Sequence, residues 1–290
     1  MSAAQQAVAE RRDSGAPPGP RISAGRRLRR RAGSRGGLEL ALELTVPLLL
    51  LGLWELVTTQ LVTSFYFPPL HTILKTFWDT WVFDHARSDL VPSLVRLLIG
   101  YGIAVVAGVG IGVLLGLSRR ARKAVEPIVE FLRAIPPPAL LPFAIVVIGV
   151  GDGMKVFIIA FVSVWPILLN ATDGITGVDQ GLLDTAKVFG IRGRDRFRRV
   201  LLPAAAPQIF AGMRTSLAVA LILMVISEMV ASTSGIGYFV LNSERTFAIP
   251  EMWSGIIVLG ILGYALNLLF LLVERRVLRW HRGLTAATGS

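Results

Sequence analysis

Long apolar stretches, separated by short polar segments, dominate this chain. Six of them predict membrane-spanning helices, because a helix needs about 20 mostly apolar residues to cross the hydrocarbon layer. They lie near residues 40–60, 93–117, 125–149, 154–173, 208–231 and 253–274. Prolines at 136–138 and 142 interrupt the third stretch, so we expect its helix to break there. The pattern predicts an all-α polytopic membrane protein with six transmembrane helices.

The composition indicates that a lipid bilayer is the solvent of this chain. Hydrophobic residues make up 53% of its 290 residues and charged residues 17%, whereas soluble domains carry about 25% charged residues. In a soluble protein the net charge of +11 would suggest nucleic acid, but in a membrane protein it indicates charge sorting across the bilayer. We therefore expect no nucleic-acid partner. The absence of cysteine excludes disulfides and thiolate metal sites.

Basic residues are concentrated in alternate polar segments. Residues 1–37 form an arginine-rich tail that we expect to be disordered. Further basic clusters occupy 118–124, 174–207 and the C-terminal region that ends in the tail 276–290. The intervening segments hold few cations, namely Lys75, Arg87, Lys155 and Arg245. Because Lys and Arg accumulate on the cytoplasmic side, this asymmetry predicts that both termini are cytoplasmic.

The second apolar stretch carries small residues at every fourth position, namely Ala104, Gly108, Gly112 and Gly116. Small residues at this spacing form one flat helix face against which another helix can pack closely. The pattern leaves open whether that helix belongs to the same chain or to another one.

The basic segment 174–207 is too long and too structured to be a simple connection. We expect a short amphipathic helix over Asp184–Phe189, which Gly190 ends in a left-handed conformation. Asp195 is expected to cap a second short helix that runs to Leu201 and that Pro203 terminates. The segment also carries apolar side chains, namely Leu182, Leu183, Val188 and Phe189. These favour a protein partner over a loop that merely lies on lipid headgroups.

Spacing within this segment resembles the EAA loop of ATP-binding cassette (ABC) importer permeases. Asp184-Thr185-Ala186 is followed at the family's distances by Gly190 and by Val200-x-Leu202-Pro203. Asp184, Thr185 and Val200 replace the family's Glu, Ala and Ile. In the family this loop is the coupling helix that docks into the cytoplasmic ATPase. The resemblance implies an ATPase-docking role for Asp184, Thr185, Ala186, Gly190, Leu202 and Pro203.

The resemblance extends over about residues 45–282 and is strongest to the nitrate/sulfonate/taurine/bicarbonate permease branch. It rests on short runs in the same order, among them Trp54-Glu55, Ser93-Leu94-Val95-Arg96, Arg133-Ala134-Ile135-Pro136, Trp165-Pro166-Ile167 and Ser227-Glu228-Met229. It implies a type I ABC importer transmembrane domain over 88–275, preceded by the helix at 40–60. It also implies an inner-membrane permease for a small organic or inorganic anion, such as a sulfonate or a nitrate-like compound.

The chain lacks the G-x-x-x-x-G-K-[ST] loop that cradles ATP phosphates. We therefore expect that it is not an enzyme and that it binds no cofactor itself, with ATP and Mg²⁺ on a partner subunit. The resemblance implies two copies of a cytoplasmic ABC ATPase, an extracytoplasmic solute-binding protein and a second permease subunit. A homodimer in the lipid bilayer is the expected pairing.

Two charged residues are candidates for the translocation path or its gate. Glu228 is placed near the outer edge of the fifth stretch, where it either gates the path or contacts substrate, or else pairs at a subunit or helix contact. Arg96 either attracts an anion near the outer mouth or snorkels to the outer headgroups. Arg133 and Arg214 are expected to snorkel at the inner boundary.

Three further residues are weaker candidates for the path. Pro136 marks a broken helix, and broken helices often border translocation paths, although a plain packing kink is the alternative. Trp165 is either a substrate platform or, as we favour, a packing or interfacial aromatic. Asn170 is expected to cap or cross-bond the fourth helix.

Two other classes of protein compete with the ABC permease. A secondary transporter or channel driven by an ion gradient would need charged residues near mid-membrane, and most of the apolar stretches have almost none. A membrane enzyme is disfavoured because His71, His85 and His281 are predicted to lie on both sides of the membrane, so they form no metal site. Gly149, Gly151 and Gly153 are interpreted as a turn and not as a dinucleotide site.

Overall fold

A computed structural model describes residues 35–61 and 64–280, and this part of the chain is almost entirely helical. The predicted N-terminal tail lies outside the described residues up to residue 34, as does the C-terminal tail from His281 onward. The chain divides into two units, Met1–Gly52 and Leu53–Ser290. All the sites considered below lie in the second unit.

The helices are numbered α1 to α11 along the chain, and short π-helical turns join some of them. Their bounds are α1 Arg35–Leu56, α2 Leu70–Asp79, α3 Val91–Leu117, α4 Arg119–Ala134, α5 Pro137–Ile148, α6 Asp152–Thr176, α7 Gln180–Val188, α8 Gly193–Arg196, α9 Leu202–Val230, α10 Ile236–Arg245 and α11 Ile249–Val277. The π turns occupy Val57–Leu61, Thr80–Asp84, Ala86–Leu90 and Phe197–Leu201.

Four helical stretches in the described residues are long and apolar enough to span a membrane: Ala86–Leu117, Asp152–Thr176, Gly193–Val230 and Ile249–Val277. The pair α4 and α5 would make a fifth span, and it bends by 93° at the predicted proline break. Around residues 40–60 the described apolar helix is the shorter Thr45–Leu61. The all-α membrane fold is confirmed, whereas the count of six spans is not.

Helices α3, α6 and α9 pack together and form the core. Its largest fully buried side chains include Leu97, Met154, Ile158, Ile159 and Met224. The small-residue face of α3 lies against α6, so the partner helix belongs to the same chain. A Cβ on Gly112 would lie 2.6 Å from the Ala171 Cβ, and one on Gly116 would lie 2.6 Å from the Ile175 Cβ. Larger residues would therefore push α3 and α6 apart.

The basic segment folds differently from its prediction in three places, namely the start of α7, Asp195 and Pro203. Helix α7 begins at Gln180, four residues earlier than expected, because the Asp179 carboxylate accepts a hydrogen bond from the Leu182 N–H at 3.1 Å. Gly190 has φ +71°, which confirms the left-handed stop.

Asp195 is not a cap and Pro203 does not end a helix, so both expectations were wrong. The N-cap position of α8 is Arg192, and Asp195 instead pairs with Arg199 at 3.5 Å. Pro203 lies in the first turn of α9, where its missing N–H costs little, and the π turn before it keeps the helix continuous over 193–230.

Candidate functional site

Basic segments meet at one end of the helical core, which we call the basic end. Arg119 and Arg122 of α4 and Arg196 of α8 line a cavity of about 530 Å³ together with Ile175 at the end of α6. At the same end, Val277 and Trp280 lie beside Leu202 and Pro203 along a second cavity. The cations of the C-terminal part of α11 are thereby brought to the same end as those of the 174–207 segment.

Helix α7 presents an exposed apolar surface at the basic end. Val188 is 85% exposed and Phe189 is 77% exposed. The opposite side of the helix is fixed, since Ala186 is buried and Leu183 packs against a cluster that includes Phe197 and Leu201. A rigidly mounted helix with apolar side chains in water is typical of a surface that a partner protein covers.

The predicted docking residues divide between this surface and its support. Asp184 and Thr185 are exposed on α7, Ala186 faces inward and Gly190 ends the helix. Leu202 and Pro203 lie at the start of α9. Hydrogen bonds to the Asp184 carboxylate from Lys187 (2.6 Å) and Gln180 (3.0 Å) hold the pKa of Asp184 below its usual range, so it stays anionic near neutral pH.

Buried charges gather at the opposite end of the core. Arg96 is 5% exposed and Glu228 is fully buried. The Arg96 Nη1 donates to the Glu228 carboxylate at 2.8 Å, and its Nε donates to Asp152 at 2.8 Å. Ser93 donates to both Glu228 oxygens, and Ser234 accepts from Arg96 through its carbonyl and its hydroxyl. We call these five residues the Arg96 cluster.

The Arg96 cluster corrects one expectation and bears on another. Arg96 does not snorkel to headgroups, because Asp152 and Glu228 hold its guanidinium inside the protein. Glu228 pairs at a helix contact, and its role in gating or in contacting substrate stays a prediction. The cluster joins α3, α6 and α9 in one network, so these helices are tied together at this end.

The cluster also fixes the connection between α9 and α10. Backbone N–H groups of Gly235, Ile236 and Gly237 donate to Asp89, Ser93 and Glu228 respectively. Gly235 has φ +117°, and a Cβ there would lie 2.4 Å from the Glu228 carboxyl carbon. Only glycine fits both the conformation and the space.

The sequence pattern does not indicate that Asp89, Ser93, Asp152 and Ser234 belong to one hydrogen-bond network. Ser93 with Arg96, and Glu228 with the glycines that follow it, do occur in runs that resemble the permease branch. The spacing of these runs does not indicate that they lie close together in the folded chain, since more than a hundred positions separate Arg96 from Glu228.

Two of the remaining candidates, Asn170 and Trp165, lie at contacts between helices, and Pro136 does not. Asn170 cross-bonds two helices, since it donates to the Pro166 carbonyl and accepts from Gln208 of α9, both at 2.8 Å. Trp165 packs beside a buried cluster of α3, α4 and α6 and contacts Phe161 edge-on at 5.4 Å. Pro136 is exposed at the bend between α4 and α5.

Within residues 35–61 and 64–280, no group of three His, Asp or Glu side chains is placed to hold a metal ion. His71 pairs with Glu55 and His85 pairs with Asp89, each at 2.7 Å, and His281 lies outside the described residues. The expected turn at Gly149–Gly153 is present between α5 and α6.

The described residues combine long apolar helices, sufficient to cross a membrane, with an exposed helix, α7, at the basic end. The chain matches the model of the family "Binding-protein-dependent transport system inner membrane component" over residues 104–282. It belongs to this family. The predicted resemblance is thereby confirmed.

Named relatives lie in the predicted branch. The chain is 30% identical over 246 residues to the taurine transport system permease protein TauC of Escherichia coli (strain K12), covering 82% of this chain and 88% of TauC. It is 29% identical over 237 residues to the nitrate import permease protein NrtB of Leptolyngbya laminosa, covering 79% and 84%.

Among solved structures, an inward-facing conformation of the MetNI methionine ABC transporter matches with a TM-score of 0.57. The sequences are 21% identical, and the match covers 67% of this chain and 94% of the other. This likeness supports the type I importer fold. Together the comparisons show an ABC importer permease of the inner membrane, which lacks an ATPase site and works with an ATPase and a solute-binding protein.

Proposed function

We propose that α7 is the coupling helix through which a cytoplasmic ABC ATPase drives this permease. The observation that carries the proposal is the exposure of Val188 and Phe189 on a helix whose inner side is fixed to the base of α9. An amphipathic helix with such a surface suits insertion into a groove of a partner. Asp184, Thr185 and Gly190 would lie in or beside that contact, and Ala186, Leu202 and Pro203 would support it.

The basic end faces the cytoplasm in this proposal, and so do both termini. Cations from α4, from the 174–207 segment and from the end of α11 support this orientation, because they share one end of the core. The Arg96 cluster then lies toward the extracytoplasmic side, where a solute-binding protein delivers its cargo.

The working assembly that we infer contains two permease subunits, most simply identical, and two ATPase subunits that hold ATP and Mg²⁺. Closure of the ATPases would move each α7, and the continuous helix from Gly193 to Val230 would transmit this movement across the membrane. The cargo is a small anion of the sulfonate or nitrate type, as the names of TauC and NrtB suggest. Path roles for Pro136, Trp165 and Asn170 stay predictions.

Co-purification tests the docking proposal. Val188→Asp with Phe189→Asp replaces the apolar surface by two charges and should abolish recovery of the ATPase with the permease, while membrane insertion is unchanged. Val188→Ile with Phe189→Tyr keeps the shape and serves as the matched control. ATPase recovery and ATP-driven uptake at wild-type level in the double aspartate variant would contradict the proposal.

A further inference from the structure

Helix α9 has an exposed face that is unlike a lipid-facing surface. Its exposed positions between Gln208 and Ala218 are polar or small, namely Gln208, Ala211, Arg214, Thr215 and Ala218. Between Ile261 and Val273 the exposed positions of α11 are large and apolar, namely Ile261, Tyr264, Leu268, Leu269, Leu272 and Val273. Polar residues in membrane helices usually face a bundle interior or a water-filled path, so the face of α9 is the better candidate for a path.

Arg214 lies midway between the charged ends of the molecule. The rise along the helix is ~21 Å from Arg214 to Glu228 and ~22 Å from Arg199 to Arg214. The Arg214 Nε donates to the Asn267 side-chain oxygen of α11 at 3.3 Å, so the guanidinium lies beside α11. Snorkelling of Arg214 to the inner boundary stays a prediction.

A groove of about 300 Å³ separates α9 and α11 at this height. Arg214 and Asn267 supply its polar groups, while its apolar wall includes Leu217, Leu221 and Leu266. Within the described part of the chain, neither Nη atom of Arg214 nor the Asn267 side-chain nitrogen has a hydrogen-bond partner. All three are donors, so the groove offers hydrogen bonds to an anion and a hydrophobic surface to the remainder of the ligand.

We propose that Arg214 and Asn267 bind the anionic head of the transported solute, while the leucine-rich wall contacts its carbon chain. The inference rests on the proposed import of a small anion and specifies it as an organic one, such as an alkanesulfonate. Arg is suited to this role because its planar fork matches the oxygens of a sulfonate. A lipid phosphate offers the same oxygens, but the small and polar exposed face of α9 favours the solute.

Uptake into proteoliposomes tests this assignment, using the complete complex with its ATPase and solute-binding protein. The probes are radiolabelled taurine, butanesulfonate and nitrate, and the readout is the amount of solute imported per ATP hydrolysed. Arg214→Gln should lower this ratio for the sulfonates by about tenfold or more, whereas Arg214→Lys should retain more of it. The control is Arg133→Gln, which removes an exposed cation paired with Glu130 outside the groove.

The possible failures are distinguishable. A wild-type complex that imports none of the three anions would overturn the proposed cargo and this inference with it. Normal import per ATP by Arg214→Gln would overturn this inference and leave the proposed cargo intact. If removing anionic lipids from the vesicles abolished wild-type import just as Arg214→Gln does, the groove would be a lipid site and the proposal would be wrong.

Discussion

Charged side chains are buried at one end of the core and exposed at the other. At one end, Arg96 and Glu228 are buried and pair with each other. At the basic end, Asp184 and Lys187 pair with each other in the open and leave the apolar side chains beside them exposed. Buried networks hold helices in one arrangement, whereas exposed surfaces are free to meet another protein. One end therefore ties the helices together, and the other is the end that we propose to receive the force of the ATPase.

The largest stability effect is expected from Glu228→Ala. The change leaves the Arg96 guanidinium buried with one partner fewer, and breaking a buried pair in this way costs about 3–5 kcal/mol. Thermal unfolding of the purified permease in detergent measures the loss. Removing both charges with Arg96→Met and Glu228→Gln should recover part of the loss, since no unpaired charge remains.

The exposed ion pair between Glu130 and Arg133, near the end of α4, is the matched control for the buried pair of Arg96 and Glu228. Glu130→Gln removes the partner of Arg133, whose side chain is 46% exposed, and should cost less than ~1 kcal/mol. Equal destabilisation by Glu228→Ala and Glu130→Gln would show that the Arg96 cluster is not the anchor described here.

A smaller loss is expected from Gly235→Ala. The new methyl group would combine an unfavourable φ of +117° with a collision against the Glu228 carboxyl group, for about 2–4 kcal/mol in total. Gly149→Ala separates the two causes, because Gly149 has φ +90° but open space around it. Gly149→Ala should therefore cost only the backbone part, about 1–2 kcal/mol. Identical unfolding temperatures for the two variants would argue against the collision.

The smallest effect is expected from the titration of Asp184. Its lowered pKa means that any stabilisation by this carboxylate is present above the unfolded pKa and is lost as pH falls through the lower folded value. Unfolding temperatures of the wild type and Asp184→Asn, measured side by side, should therefore not diverge between pH 5 and 8. Divergence in this window would contradict the lowered pKa of Asp184.

Local patterns predicted much of this molecule. Apolar length predicted the membrane fold, the prolines predicted the bend between α4 and α5, and Gly190 predicted the end of α7. The Arg96 cluster could not be predicted from the sequence, because it depends on side chains from three helices that only tertiary packing brings together. Pro203 misled the prediction because a π turn at Phe197–Leu201 let the helix continue. The contact between Arg214 and Asn267 could not be predicted either, because Asn267 lies on another helix.

Site-directed cross-linking tests the central claim most directly, because the chain contains no cysteine to interfere. Val188→Cys on α7 and Val146→Cys on α5 introduce thiols at positions that are 85% and 86% exposed. With the ATPase present, a thiol-reactive photo-cross-linker should join the permease to the ATPase from position 188 and not from position 146. Failure of position 188 to cross-link, or its labelling by an impermeant thiol reagent applied outside intact cells, would contradict the account.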